Sequence, residues 1–176
     1  LTILQPSNLK DERFLAELKA LNANLQIVVA FRMLPKVVWE MPKLGTFNLH
    51  ASLLPNYRGA APINWAIING ETKTGVTSFF IDDKIDTGAM ILSKETIIEK
   101  EENAGMLHDR LMHIGSETVV ATLNLIESNK VNTTIQEDNE GIKTAYVLYF
   151  KNRTQQFGDL SRFSGLDRNF CCDFIL

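Results

Sequence analysis

The segment from Leu25 to Phe31 restricts the fold of this chain most, because it is short, rich in β-branched residues and almost wholly apolar. Such a segment is typical of a strand that is covered on both faces within a parallel sheet. The stretch before it, from Asp11 to Leu21, has apolar residues at helical spacing and acidic residues in its first turn. A helix followed by a buried strand predicts an α/β fold.

The same alternation continues along the chain. We predict a short helix that opens at Pro35, a strand over 46–50, a helix over 63–69, strands over 76–81 and 90–98, and a long amphipathic helix over 103–128. After Thr144 no helical or strand period is recognisable. We therefore expect one folded domain over 1–144 and a tail over 145–176 with no assignable domain.

Charge and cysteine content exclude several classes of protein. The 176 residues carry 18 basic and 21 acidic side chains, a net charge of −3, and no block of Lys and Arg. We therefore expect weak RNA binding by this chain alone. The adjacent Cys171 and Cys172 cannot form a spaced metal pair.

No apolar run approaches the roughly 20 residues of a membrane span, and no signal peptide is visible, so we expect a cytoplasmic protein.

Two polar residues stand at the end of the strand predicted over 46–50. Asn48 and His50 are two residues apart, so both side chains project from the same face of the strand. Open α/β sheets bind ligands at the carboxyl ends of their strands. An amide donor and a titratable imidazole therefore occupy a plausible functional position, although an isolated Asn-x-His would more often be structural.

Two loops reach the same end of the sheet. A loop rich in proline and glycine follows His50 and contains Ser52, Arg58 and Pro62. The sequence Asp86-Thr87-Gly88 lies in the turn between two predicted strands and supplies a carboxylate.

These motifs together resemble the folate-dependent formyltransferases. The resemblance rests on Phe47-Asn48-Leu49-His50-Ala51-Ser52-Leu53-Leu54-Pro55, on Tyr57-Arg58-Gly59-Ala60-Ala61-Pro62-Ile63 and on Asp86-Thr87-Gly88, and it covers roughly residues 1–145. It implies an open, Rossmann-like, mostly parallel sheet with flanking helices. The run from Arg58 to Ile63 is most similar to the family members that formylate methionyl-initiator-tRNA.

The resemblance implies that Asn48, His50 and Asp86 are catalytic. Attack of an amine on the formyl carbon of 10-formyltetrahydrofolate creates an oxyanion, which Asn48 would stabilise. His50 would carry protons, and Asp86 would orient His50 and favour its protonated form. Asp82 and Asp83 are rival carboxylates, which we expect to face solvent.

The resemblance also implies a folate pocket and no metal. Its expected lining is Arg32, Met33, Leu34, Ser52, Leu53, Leu54, Pro55 and Gly88. Met33 and Leu34 could equally well pack in the core. Arg58 could meet an anionic part of the substrate or be structural. His108 and His113 are five apart on a helix, which does not suit a metal pair.

Several alternatives remain open at this point. Glycinamide ribonucleotide and sugar-nucleotide formyltransferases, and formyltetrahydrofolate hydrolase, would share the same three residues. A serine hydrolase based on Ser52 is disfavoured because no Gly-x-Ser-x-Gly surrounds it, and no Gly-x-Gly-x-x-Gly supports a dinucleotide site.

The extent of the chain raises a further alternative. Family members resemble this chain but have earlier βα units and a C-terminal domain that grips tRNA. We expect a fragment that is truncated at its N-terminus, with an exposed sheet edge, reduced stability and little activity. An inactive or merely folate-binding fragment is the alternative.

Overall fold

The structure, a computed structural model, describes residues 2–29, 33–138 and 141–145. Its elements in chain order are α1 (Glu12–Ala20), β1 (Gln26–Val29), α2 (Lys36–Trp39), β2 (Thr46–His50), β3 (Arg58–Gly59), α3 (Pro62–Ile68), β4 (Lys73–Phe80), β5 (Met90–Ile97), α4 (Ala104–Glu127) and β6 (Thr144–Ala145). The tail predicted over 145–176 lies outside the described residues except for Ala145, so the division near Thr144 stays a prediction.

The main sheet has four strands in the order β1-β2-β4-β5. Strands β1 and β2 are parallel, whereas β4 is antiparallel to both β2 and β5. The predicted α/β sheet with flanking helices is confirmed, and its pairing within the described residues is mixed. The short turn between β4 and β5 explains their pairing, because neighbouring strands joined by a short loop run in opposite directions.

One face of this sheet is covered by α4. Asn103 caps the helix by accepting a hydrogen bond from the Met106 amide, and Gly115 lets the helix backbone approach β2 at the Leu49 side chain. The core forms where the helix packs on the sheet and includes Leu107 and Leu111 of α4 together with Ala66, Val76 and Ile98. Since side chains alternate along a strand, Leu49 on this face leaves Asn48 and His50 on the opposite face.

The edge strand β1 corrects one prediction. The apolar run was predicted to be covered on both faces, but Ile27 and Val29 are 42% and 56% exposed. The two side chains share one face of the strand, and both are exposed there in the described part of the chain. One face of this apolar strand is therefore exposed within the described residues, and not buried as its composition predicted.

Two short strands were not predicted. β3 and β6 pair in parallel, with Gly59 opposite Ala145. This pairing brings residues 143–145 back against the loop that follows β2, although the two segments are far apart in sequence. Among the described residues, no helix is long and apolar enough to cross a membrane.

Candidate active site

The site begins at the end of β2, where His50 is only 7% exposed. Its Nε2 nitrogen lies 2.7 Å from the carbonyl oxygen of Tyr57, and its Nδ1 nitrogen lies 3.6 Å from Oδ2 of Asp86. A carbonyl oxygen only accepts hydrogen bonds, so Nε2 carries the hydrogen of the first contact. The imidazole is therefore fixed with Nδ1 directed at a carboxylate.

Asp86 lies in the turn between β4 and β5 and has a left-handed backbone, with φ at 53°. Its Oδ2 accepts a 2.8 Å hydrogen bond from the Gly59 amide. The same oxygen therefore faces both the loop after β2 and the imidazole. A left-handed conformation is unfavourable for a residue with a side chain and persists only where the surroundings enforce it.

Asn48 has an unusual buried oxygen. Within the described part of the chain, its Oδ1 has no hydrogen-bond partner. A buried polar atom without a partner costs about 1–3 kcal/mol, so such an atom favours a ligand that satisfies it. Rotation of the amide by half a turn places the Nδ2 donor where the oxygen was.

The loop over 52–57 is secured by buried polar contacts. Thr77 Oγ1 on β4 donates to the Ser52 carbonyl at 2.8 Å and accepts from the Leu54 amide at 3.2 Å. Ser52 is fully buried and donates from Oγ to the Asn56 carbonyl at 2.7 Å. The predicted pocket residues Ser52 and Leu54 thus hold the shape of the loop, and their contact with folate stays a prediction.

Gln136 joins this site from the segment after α4. Its Nε2 donates to the carbonyls of Asp86 at 3.0 Å and Gly88 at 2.8 Å, and its Oε1 accepts from Arg58 Nε at 2.9 Å. Gln136 is 8% exposed. One side chain therefore ties the Asp86 turn to the loop after β2, and no local motif around Gln136 indicated this.

Gly88 is required by its surroundings. A Cβ at this position would lie 1.6 Å from the Phe80 carbonyl oxygen, so no other residue fits without movement of the backbone. Gly88 is buried and allows the two ends of the Asp86 turn to approach each other. Its predicted contact with folate is not tested by this packing.

The two hypotheses for Arg58 can now be compared. Its guanidinium bonds Gln136 and forms an ion pair with Asp138, and this pairing lowers the pKa of the Asp138 carboxyl. Among the described residues its Nη2 is buried and has no partner. Its contacts within the described residues are with the segment after α4, and Gln136 links that segment to the turn that carries Asp86.

A cluster of polar side chains surrounds Tyr57. Its hydroxyl donates to Glu71 and accepts from Asn69, and Lys143 donates to the same Glu71 carboxylate. Burial and the Glu71 contact raise the pKa of Tyr57. Burial alone would raise the pKa of Glu71, but hydrogen bonds from Lys143 and Tyr57 outweigh it and lower this pKa.

The remaining predicted pocket residues are not all brought to this site. Arg32 lies outside the described residues, Met33 is 63% exposed and Leu34 is partly buried. Leu53 packs its side chain near Gly75 on β4, and Pro55 follows a cis bond in the loop.

One expectation about the rival carboxylates is wrong. Asp82 does not simply face solvent, because its carboxylate accepts hydrogen bonds from Thr87 Oγ1 at 2.7 Å and from the Lys84 amide at 3.0 Å. These contacts shape the turn that carries Asp86. Asp83 is exposed, as predicted, with 71% of its side chain accessible.

A cavity of about 360 Å³ opens beside the Asp86 turn and is lined by Arg58, Thr87 and Gln136 among others. Another of about 440 Å³ lies between the N-terminal segment and α1 and contains none of the predicted site residues. Within residues 2–29, 33–138 and 141–145, no group of three His, Cys, Asp or Glu side chains could hold a metal ion.

Comparison with known proteins gives the family of the chain. The family model described as formyl transferase matches residues 2–123. The chain belongs to the formyl transferase family. The match includes β2, the loop after it and the Asp86 turn, so the candidate site lies within the family's shared region.

Curated relatives in the formyl transferase family are similar over most of the chain. Methionyl-tRNA formyltransferase of Flavobacterium johnsoniae is 81% identical over 152 residues, which cover 86% of this chain and 48% of the relative. The enzyme of the same name from Flavobacterium psychrophilum is 76% identical, covering 84% and 47%. The chain therefore spans about half the length of these relatives.

Solved structures of formyl transferases share the fold. Phosphoribosylglycinamide formyltransferase from Bacillus halodurans has a TM-score of 0.61 at 26% identity, covering 66% of this chain and 60% of that one. An N-formyltransferase from Helicobacter canadensis, solved with folinic acid and dTDP-3-aminofucose, has a TM-score of 0.54 at 29% identity, covering 60% and 39%.

Proposed function

We propose that this chain carries the formyl-transfer centre of a methionyl-tRNA formyltransferase. The donor is 10-formyltetrahydrofolate and the acceptor is the amino group of methionyl-initiator-tRNA. The observation that carries the proposal is the His50–Asp86 pair, in which His50 shares one face of β2 with Asn48. These side chains provide the donor, base and carboxylate that amine formylation requires.

The reaction begins when the amine nitrogen bonds to the formyl carbon. The π electrons of the formyl C=O then move to its oxygen, and a tetrahedral oxyanion forms. Asn48 stabilises this oxyanion with its amide donor, an interaction of the kind worth about 10²-fold or more in rate. As placed, the unpartnered Oδ1 is an acceptor, so this role requires the half-turn of the amide that puts the Nδ2 donor at the same buried position.

Collapse of the intermediate restores the C=O bond and breaks the bond to the folate nitrogen. The attacking amine loses a proton, and the folate nitrogen gains one. His50 takes up the first proton at Nδ1 and delivers a proton to the leaving nitrogen. The Asp86 carboxylate, 3.6 Å from Nδ1, stabilises the imidazolium that forms between the two steps.

The folate donor is supported by the solved relatives. The Helicobacter canadensis N-formyltransferase, at 29% identity, contains folinic acid, a formylated tetrahydrofolate. In this chain the predicted pocket consists of Arg32 to Leu34, Ser52 to Pro55 and Gly88. The buried anchoring of the loop over 52–57 gives that side of the pocket a fixed shape.

The acceptor is supported by sequence similarity. The two Flavobacterium relatives are named methionyl-tRNA formyltransferase and are 81% and 76% identical to this chain. The two solved formyltransferases described above, which are named for other acceptors or for none, are 29% and 26% identical. With a net charge of −3, this half-length chain should hold tRNA weakly. We therefore expect transfer with a high KM for tRNA.

A single-turnover assay tests the proposal. The purified 176-residue chain, in excess over formyl-labelled 10-formyltetrahydrofolate, is mixed with methionyl-initiator-tRNA, glycinamide ribonucleotide or a nucleotide-linked amino sugar. We expect label on the amino group of the methionyl-tRNA and none on the other acceptors. Label on another acceptor would overturn the choice of substrate. Absence of label from all three, with correctly folded protein, would overturn the proposed activity.

A further inference from the structure

We infer that Tyr57, Glu71 and Lys143 form a positioning cluster that fixes the proton-bearing nitrogen of His50. The inference rests on the proposed function, because it concerns the residue that moves protons there. The scheme above assigns no step to any of the three side chains. Their effect on the reaction passes through the Tyr57 carbonyl to Nε2 of His50.

The first step is the conformation of Tyr57. Its φ is 62°, a left-handed value that residues with a side chain seldom adopt, and its side chain is nearly buried at 5% exposure. This conformation turns the carbonyl to within 2.7 Å of His50 Nε2. Backbone strain of this kind concentrates at functional sites and needs strong local support.

The second step is the source of that support. The Tyr57 amide donates to the Lys143 carbonyl, and the Tyr57 hydroxyl donates to Glu71. Lys143 also donates to Glu71 and lies 5.9 Å from the centroid of the Tyr57 ring. The amide and the hydroxyl of Tyr57 are therefore both held by one cluster. These two contacts fix the orientation of the Tyr57 carbonyl toward His50.

The third step is the consequence for His50. A neutral imidazole carries one proton, and an acceptor fixed at Nε2 selects the tautomer with the hydrogen there. The Nδ1 lone pair then faces Asp86 and the acceptor side of the site. If the Tyr57 carbonyl moved away, the hydrogen could shift to Nδ1 and bond Asp86, and the base would be lost.

Nitrogen NMR of the histidine side chains tests this directly. The chain has three histidines, so the ring signals of His50 are identified by their loss in His50→Gln. In the wild-type chain we expect neutral His50 to be protonated at Nε2. In Tyr57→Phe and Glu71→Ala, which weaken the cluster, we expect a mixture of tautomers. The Glu95→Gln variant is the matched control, since Glu95 pairs with Lys73 on the surface.

The kinetic readout separates positioning from folding. We expect Glu71→Ala to lower kcat by about 10-fold to 10²-fold with an unchanged KM for the folate donor. Glu71→Gln keeps an acceptor for the Tyr57 hydroxyl, so it should restore part of the rate. A wild-type His50 tautomer in both Tyr57→Phe and Glu71→Ala would overturn the inference. If the tautomer shifts but no variant, nor the wild-type chain, transfers formyl groups, the positioning stands and the proposed function fails.

Discussion

Oδ2 of Asp86 accepts a 2.8 Å hydrogen bond from the Gly59 amide and lies 3.6 Å from Nδ1 of His50. The carboxylate is therefore anchored by the backbone of one loop while it acts on the imidazole of another element. A 3.6 Å separation is longer than a hydrogen bond, so the pair is electrostatic and leaves Nδ1 free to take a proton. This relationship gives Asp86 a role that its neighbours Asp82 and Asp83 do not share.

Replacement of Asp86 should therefore remove most of the transfer activity. In Asp86→Ala the imidazolium loses its counter-charge and the Gly59 amide loses its acceptor. We expect the rate constant of formyl transfer in the single-turnover assay to fall by about 10²-fold or more. Asp83→Ala is the appropriate control, because Asp83 is exposed and Asp82 shapes the turn. Equal losses in the two variants would refute the assignment of Asp86.

Thr77 is expected to support the folate side of the site through the loop over 52–57. Thr77→Val keeps the shape of the side chain but leaves the Ser52 carbonyl and the Leu54 amide without their partner. We expect a loss of about 1–3 kcal/mol in the free energy of unfolding, measured by urea titration. Weaker folate binding, measured by calorimetry, should accompany it. Unchanged stability would show that water replaces the hydroxyl.

Gly88 should tolerate no side chain. In Gly88→Ala the new Cβ would overlap the Phe80 carbonyl oxygen, so the turn that carries Asp86 must move. We expect a destabilisation of about 1–3 kcal/mol or more, together with loss of transfer. Gly141→Ala is the control, because among the described residues no atom outside its chain neighbours lies within 4 Å of a Cβ there. A stable, active Gly88→Ala protein would contradict the packing described for this turn.

The positioning cluster of Tyr57, Glu71 and Lys143 should make the stability of the chain depend on pH. The lowered pKa of Glu71 means that the unfolded chain takes up this proton more readily than the folded one. Its contribution is therefore complete above its ordinary pKa of 4.5 and is lost as the pH falls through the lowered value.

The variant Glu71→Gln tests this dependence. We expect its unfolding temperature to fall less than that of the wild-type chain on acidification from about pH 6 to about pH 3.5. The control Glu95→Gln changes the net charge equally and should behave like the wild-type chain. An identical acid response in Glu71→Gln and the wild-type chain would show that Glu71 contributes nothing.

Local patterns were sufficient to predict most of the elements. The strand over 46–50 matches β2, and the helix over 103–128 differs from α4 by one residue at each end, because Asn103 supplies a clear cap. The residues of the candidate catalytic group came from a motif within one strand and one turn. Their close approach did not follow from the rule that ligand sites form at strand ends, because β4 runs antiparallel to β2 and Phe80 at its end pairs with Phe47. The turn after β4 folds back from that end of the sheet and brings Asp86 to His50.

Long-range contacts could not be predicted in the same way. Gln136 reaches the Asp86 turn across 50 residues, and Lys143 reaches Glu71 across 72. Neither residue lies in a periodic segment or a motif, so no local signal indicated its partner. The exposure of Ile27 and Val29 was also missed, because the apolar composition of β1 says nothing about which neighbours are present.

Formyl transfer by the His50→Gln variant tests the central claim most directly. The substitution removes the titratable ring that lies between Tyr57 and Asp86, and His113→Gln is the matched control on the exposed side of α4. In single-turnover reactions with methionyl-initiator-tRNA we expect His50→Gln to lose transfer by about 10²-fold or more and His113→Gln to keep the wild-type rate. A folded His50→Gln chain that transfers the formyl group at the wild-type rate would contradict the account.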